Sequence, residues 1–85
     1  MVEIEMPIKE FSFLRKEFSN IDNYLVHLTY SEEEVYFEIP DEKYNAFIID
    51  YRSTLIRKGT EGKETFNDVG VRLNNIFNKY IVYGK

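Results

Sequence analysis

Few side chains in this sequence have the chemistry of a catalytic site, and His27 is the first of them. It is the single histidine in 85 residues, and histidine is the side chain that changes charge near neutral pH. Two segments of alternating apolar and polar residues predict neighbouring strands, and the register that aligns their apolar residues sets His27 across from Glu38. A histidine beside a carboxylate is a fragment of a general-base arrangement. Because nothing in the sequence points to a nucleophile for it, we expect a cross-strand charge pair and no enzymatic activity.

Three consecutive glutamates, Glu32, Glu33 and Glu34, are the second candidate for chemistry. Carboxylates bind hard cations when they converge, but adjacent side chains of an extended segment point to opposite faces. The chain has no cysteine, and its spacings match neither an EF-hand loop nor a zinc motif. Its four glycines form no phosphate-binding loop. We therefore predict no metal site and no cofactor.

Tyr36 is the third candidate, and it favours binding over catalysis. The alternation places it on the outer face of the hairpin beside Glu38 and His27, with Thr29 on the neighbouring strand. Tyrosine among mixed polar and apolar neighbours is typical of recognition surfaces. The predicted partner-binding residues are Glu32, Glu33, Glu34, Tyr36, Glu38 and His27. The alternative is that the glutamates form only a solvated turn.

The charges divide the chain into two parts. Residues 1–50 carry four basic and twelve acidic side chains, a net charge of −8, and residues 51–85 carry seven basic and three acidic ones, a net charge of +4. A nucleic-acid binder needs a dominant basic face, so we predict no direct nucleic-acid binding. The acidic part suits a protein partner with a basic surface. Accidental asymmetry of a soluble surface is the alternative.

The hairpin that must position these residues is predicted over residues 24–39. One register pairs Tyr30 with Val35, Leu28 with Phe37 and Val26 with Ile39, which brings these apolar residues to one face. No glycine stands between the strands, so we expect a four-residue loop, residues 31–34, led by the serine and built around a type I turn.

Helical spacing of apolar residues predicts three helices around the hairpin. The first starts at Ile8 after a proline. The second has about 17 residues within 40–59. Its predicted end is marked by Arg57, Lys58 and Gly59. Besides its main stripe it has a second one, Ile49 and Ile56, which would meet a neighbouring element or another subunit. The third is predicted over residues 67–83, capped by Asn67 or Asp68, with Gly70 tolerated in its first turn.

These elements predict one α+β domain over residues 1–85, with a two-stranded antiparallel sheet packed on helices in two layers. The N-terminal segment VEIEM could add a short third strand at the sheet edge. No apolar run is long enough for a membrane span and the N-terminus is acidic, so we expect a soluble cytoplasmic protein without membrane contacts, monomeric or homodimeric.

Three functions follow as hypotheses. The first is a small acidic inhibitor or adaptor of a basic, nucleic-acid-binding protein. In size, acidity and element order the chain resembles small accessory proteins of bacteriophages and mobile elements, including anti-CRISPR inhibitors and immunity proteins, which implies an anti-defence or immunity-like role. The second is an oligomerising module that uses Ile49 and Ile56. The third, ranked last, is a small enzyme or ligand-binding domain that uses His27 and Glu38.

Overall fold

The computed structural model describes residues 1–61, 63 and 65–82. Within them the chain forms three strands, one long α-helix, two shorter α-helices and two helical segments of other types. In chain order these are β1 (Val2–Pro7), α1 (Ile8–Glu17), a 3₁₀ helix (Ser19–Asn23), β2 (Val26–Tyr30), β3 (Glu34–Ile39), α2 (Asp41–Thr60), α3 (Asp68–Ile76) and a π-helical segment (Phe77–Val82). The α+β class is confirmed. Tyr83, the predicted end of the last helix, lies outside the described residues.

The sheet has three antiparallel strands in the order β1-β3-β2, so the optional N-terminal strand is present and β3 is central. β1 pairs with β3 in a regular register that sets Ile4 opposite Phe37 and Met6 opposite Val35. All four of these side chains are buried. The apolar residues of VEIEM therefore lie on the same inner face as those of β3, because every second side chain of a strand points to the same side.

The predicted hairpin register is correct beside the turn and wrong farther along the two strands. Tyr30 pairs with Val35 as expected, but Val26 lies opposite Glu38 instead of Ile39. An irregularity between Val26 and Thr29 inserts one extra residue into β2, and His27 there has a φ of 56°. Such bulges are common on edge strands, where one side of the strand has no partner to impose regularity.

One hydrophobic core lies between the sheet and the helices. The rings of Phe11 on α1 and Phe37 on β3 are 5.4 Å apart, which places α1 over the sheet. On α2, Tyr51 packs against Phe18 and Phe77, and its hydroxyl donates to the backbone oxygen of Leu73 at 2.7 Å. Burial raises the pKa of this hydroxyl, so it remains a donor across the ordinary pH range.

The junction of α2 and α3 differs from the prediction. Gly59 does not stop α2, which continues to Thr60 and ends on Glu61 in the left-handed conformation. Gly59 is buried against Gly70, and a Cβ added to either residue would lie 2.7 Å from the other's backbone. Gly70 is therefore required for close helix approach and not merely tolerated, because no larger side chain fits between the two backbones.

The third helix is continuous with the predicted one but changes geometry on the way. Asn67 caps its start, as the sequence suggested, by accepting a hydrogen bond from the Gly70 amide at 2.8 Å. After Ile76 the α-helix becomes a π-helix that keeps Phe77 and Ile81 buried. Gly62 and Glu64, in the segment between α2 and α3, lie outside the described residues.

Candidate protein-binding face

The outer face of the sheet collects the acidic residues of two of its three strands, β1 and β3. Helices cover the inner face, and the alternate residues of each strand therefore point outward. We call this surface the acidic sheet face; its members are Glu3, Glu5, His27, Thr29, Glu34, Tyr36 and Glu38. The three strands contain four glutamates and neither lysine nor arginine. A surface of this charge attracts a cationic partner.

Tyr36 lies at the centre of the acidic sheet face. It is flanked across the strands by Glu5 on β1 and Thr29 on β2. Its hydroxyl donates a hydrogen bond to Glu3 Oε1 at 3.0 Å. Loss of solvent around the ring raises the pKa of Tyr36 to about 12, with contributions from the Glu3 and Glu38 carboxylates. The phenol thus stays neutral at physiological pH and offers a flat, rigid contact area.

The structure brings His27 and Glu38 together, although by a different route from the predicted one. His27 Nδ1 lies 2.5 Å from Glu38 Oε1. The two residues are not directly opposite in the ladder; the bulge in β2 turns the imidazole toward β3. The His27 side chain is 63% exposed and that of Glu38 20% exposed. A contact whose imidazole is this accessible to water contributes little to stability and lacks the dry surroundings in which general-base groups work.

The glutamate tip closes the β2–β3 hairpin. The Ser31 amide donates to the Glu34 carbonyl at 2.9 Å, and the Glu34 amide donates to Ser31 Oγ at 3.2 Å, so the serine leads the loop as predicted. Because β3 begins at Glu34, the loop has three residues, 31–33, instead of the predicted four. Glu32 and Glu33 are exposed and Glu34 is half-buried. Over residues 1–61, 63 and 65–82, no group of three acidic or histidine side chains is arranged to hold a metal ion.

Glu3 and Glu5 are site residues that the predicted set lacks. Their position follows from the pairing of β1 with β3, which sets Glu3 opposite Glu38 and Glu5 opposite Tyr36. The signal in the sequence is the alternation of VEIEM, which is readable as a strand but does not say which strand it joins. The two residues add two carboxylates to the centre of the face, where the sequence predicted only the hairpin's own.

Lys79 bounds the acidic sheet face on the β1 side. Together with Tyr80 it forms a shallow groove with Glu3, Glu5 and Tyr36. Its ammonium nitrogen lies 5.3 Å from the Tyr80 ring centroid, a cation–π distance. The acidic surface therefore has a defined margin on this side and extends toward the hairpin tip.

Comparisons with protein-family models, curated proteins and solved structures found no match to this chain. In the part of the chain that the structure describes, no helix combines the length and apolar character needed to cross a membrane.

Proposed function

We propose that this protein is a non-enzymatic binding protein whose acidic sheet face docks onto a basic surface of another protein. It acts by occupancy, as an inhibitor or adaptor. The observation that carries the proposal is that four glutamates of β1 and β3 share the outer face of a sheet whose three strands contain neither lysine nor arginine. Clustered like charges repel one another, and a cationic partner relieves that repulsion.

The layout of the face supports recognition as well as attraction. Tyr36 gives it a central aromatic contact, and aromatic residues near the centre of an interface carry much of the binding energy. Glu32 and Glu33 project at the hairpin tip, where exposed charges increase association rates more than affinity. We therefore expect the exposed glutamates at the hairpin tip to increase the association rate and Tyr36 to contribute binding energy at the centre of the interface.

The class of partner follows from the charge. Proteins that bind nucleic acids present lysine- and arginine-rich surfaces for phosphates, and a rigid row of carboxylates competes for such surfaces. Together with the resemblance in layout to accessory proteins of phages and mobile elements, this favours an anti-defence or immunity-like role in the cytoplasm. The accessibility of the His27–Glu38 pair is the reason why the proposal does not include catalysis.

A pull-down from the native host with three baits tests the proposal. The baits are the wild-type protein, a variant of the face and its hairpin tip with Glu5→Lys and Glu33→Lys (the face variant), and a charge-matched control with Glu61→Lys and Asp68→Lys. All four altered residues are exposed. We expect mass spectrometry to find a basic protein retained by the wild type and the control but lost from the face variant.

Binding kinetics with that protein give the second measurement. The association rate should fall steeply with added salt for the wild type and less steeply for the face variant. Equal retention of the partner by the face variant would contradict the proposal. So would capture that depends on nucleic acid and disappears after nuclease treatment.

A further inference from the structure

A small polar cavity lies between the end of α1 and the last turns of α2. Its volume is about 100 Å³. That is the space of about three water molecules, and it is well below the roughly 300 Å³ at which pockets for drug-sized ligands begin. A ligand held here is therefore one small ion or group. We call it the α1–α2 cavity; its walls include Glu17, Ser19, Asn20, Thr54, Arg57 and Lys58.

α2 contributes a buried hydroxyl and two cations to the α1–α2 cavity. Thr54, Arg57 and Lys58 are spaced i, i+3 and i+4, so they lie on one face of the helix. Thr54 is 2% exposed, yet its hydroxyl has no hydrogen-bond partner among residues 1–61, 63 and 65–82. In the same residues every side-chain oxygen or nitrogen that is fully closed off has a partner. The Thr54 hydroxyl therefore opens into the cavity, and a ligand there supplies the partner that buried hydroxyls normally have.

The segment after α1 supplies a second part of the walls. Ser19 adds another hydroxyl to them. Asn20 Nδ2 donates to Asp50 Oδ2 at 3.4 Å, and Asp50 precedes Thr54 by about one helical turn. The same carboxylate oxygen accepts from the Tyr24 hydroxyl at 2.8 Å. These two bonds hold the segment against α2 and occupy the Asp50 carboxylate, which is not part of the cavity walls.

The charges of the walls favour an anion. Arg57 and Lys58 outweigh Glu17, the acidic residue among the wall residues, which leaves a net charge of +1. Glu17 Oε1 lies 3.8 Å from Lys58 Nζ, so this carboxylate is matched by one of the two cations. Within the described ranges no carboxylate lies at ion-pair distance from Arg57. Its guanidinium is therefore available to a ligand.

We propose that the α1–α2 cavity binds a phosphate group, either inorganic phosphate or the phosphate of a monoester. The arginine fork can donate to two phosphate oxygens at once. The hydroxyls of Thr54 and Ser19 then donate to the remaining oxygens. A carboxylate ligand has only two oxygens and leaves these hydroxyls unmatched. A metal ion is disfavoured by the positive charge of the walls.

Binding in this cavity joins the end of α1 to α2, because both elements contribute to its walls. A ligand that binds the folded chain and not the unfolded one stabilises the fold. The α1–α2 cavity shares no residue with the acidic sheet face. The inference therefore does not depend on the proposed function.

Titration of isotope-labelled protein with sodium phosphate, followed by amide chemical shifts, measures the binding. Sodium acetate and sodium chloride at equal ionic strength are the control titrations. We expect the shifts of Ser19, Asn20 and Thr54 to saturate within about 10 mM phosphate and not to saturate with acetate or chloride. Methyl phosphate distinguishes the two sources of the group. Equal affinity for it identifies a monoester as the ligand, and binding of inorganic phosphate alone identifies the free ion.

Three variants test the assigned residues. Thr54→Val keeps the side-chain shape and loses the hydroxyl, so it should weaken phosphate binding by about 10-fold or more. Arg57→Gln should weaken it at least as much, because it removes the charged fork. Glu17→Gln should instead strengthen binding by about 5-fold, since it removes a repelling charge. The matched control is Arg52→Gln, an exposed arginine of α2 outside the cavity, which should leave the dissociation constant unchanged.

Circular dichroism establishes that each variant is folded before it is titrated. Each of three results would overturn the inference. The first is the absence of saturation within about 10 mM phosphate. The second is equally tight binding of acetate. The third is a dissociation constant that neither Thr54→Val nor Arg57→Gln changes, which would mean an adventitious ion only.

Discussion

Gly59 on α2 and Gly70 on α3 contact each other backbone to backbone. A Cβ on Gly59 would lie 2.7 Å from the Gly70 Cα, and a Cβ on Gly70 would lie 2.7 Å from the Gly59 carbonyl oxygen. Distances this short are never tolerated by real Cβ atoms without movement of the backbone. The pair therefore determines how closely the two helices pack and, with that, the position of the C-terminal segment.

Alanine at Gly70 tests this contact, because two physical effects predict opposite signs. Helix propensity alone favours alanine over glycine by about 1 kcal/mol. The close approach predicts instead a loss of about 1–3 kcal/mol from overpacking. We expect Gly70→Ala to lower the free energy of unfolding in urea titrations. Val71→Ala, the exposed neighbour, is the control and should change it by less than about 0.5 kcal/mol.

Asn67 joins the same two helices through its hydrogen bonds. Its side-chain oxygen accepts from the Gly70 amide at 2.8 Å, and its side-chain nitrogen donates to the Lys58 carbonyl at 3.0 Å. Asn67→Ala loses both and should cost about 2 kcal/mol of unfolding free energy. Asn67→Asp keeps the acceptor and loses the donor, so its loss should be smaller. Equal losses for the two variants would show that the bond accepted from Gly70 contributes nothing, and an unchanged Asn67→Asp would show that the bond to Lys58 contributes nothing.

The predictable part of this structure is the part governed by local periodicity. The helices and strands follow from apolar spacing, and the pairing of Tyr30 with Val35 follows from the short loop between them. The bulge at His27 could not be predicted, because it depends on β2 being an edge strand, and that depends on whether the first strand joins β3 or β2. The positions of Glu3 and Glu5 on the acidic sheet face could not be predicted for a similar reason, because the strand pairing that places them joins residues distant in sequence.

The Gly59–Gly70 contact was missed for a related reason. A glycine near a helix end reads locally as a stop signal, and only the packing of α3 on α2 shows that this one has a different role. The exposure of Ile49 and Ile56, by contrast, agrees with their separation from the main stripe in the sequence.

Arg72 connects α3 to α1 in two ways. Its guanidinium lies 4.1 Å from the Phe13 ring centroid and 2.8 Å from Glu10 Oε1. Arg72→Met keeps most of the packing volume but loses the ion pair and the cation–π contact, so we expect a loss of about 1 kcal/mol. Arg52→Met is the matched control; it removes only a longer contact, 5.9 Å to Phe77, and should cost less. Urea unfolding of both variants measures the difference, and an equal loss would contradict the assignment.

The raised pKa of Tyr36 predicts a pH dependence of stability. The unfolded phenol titrates near pH 10 and the folded one near 12, so between these values the folded state binds more protons than the unfolded state. The stability due to this shift is fully present below pH 10 and is lost as the pH rises toward 12. In Tyr36→Phe this loss is absent. The difference in unfolding free energy between wild type and variant should therefore shrink above pH 10, and a constant difference would contradict the prediction.

His27 has a left-handed backbone conformation, with φ at 56°, and this predicts which residues its position accepts. A β-branched side chain is strained there, and His27→Val should cost about 1–2 kcal/mol. Asparagine adopts this conformation readily, so His27→Asn should stay within about 0.5 kcal/mol of the wild type although it loses the exposed pair with Glu38. Thermal and urea unfolding of the two variants separate backbone strain from side-chain contact. If both variants were destabilised equally, the Glu38 pair rather than the bulge would account for the histidine.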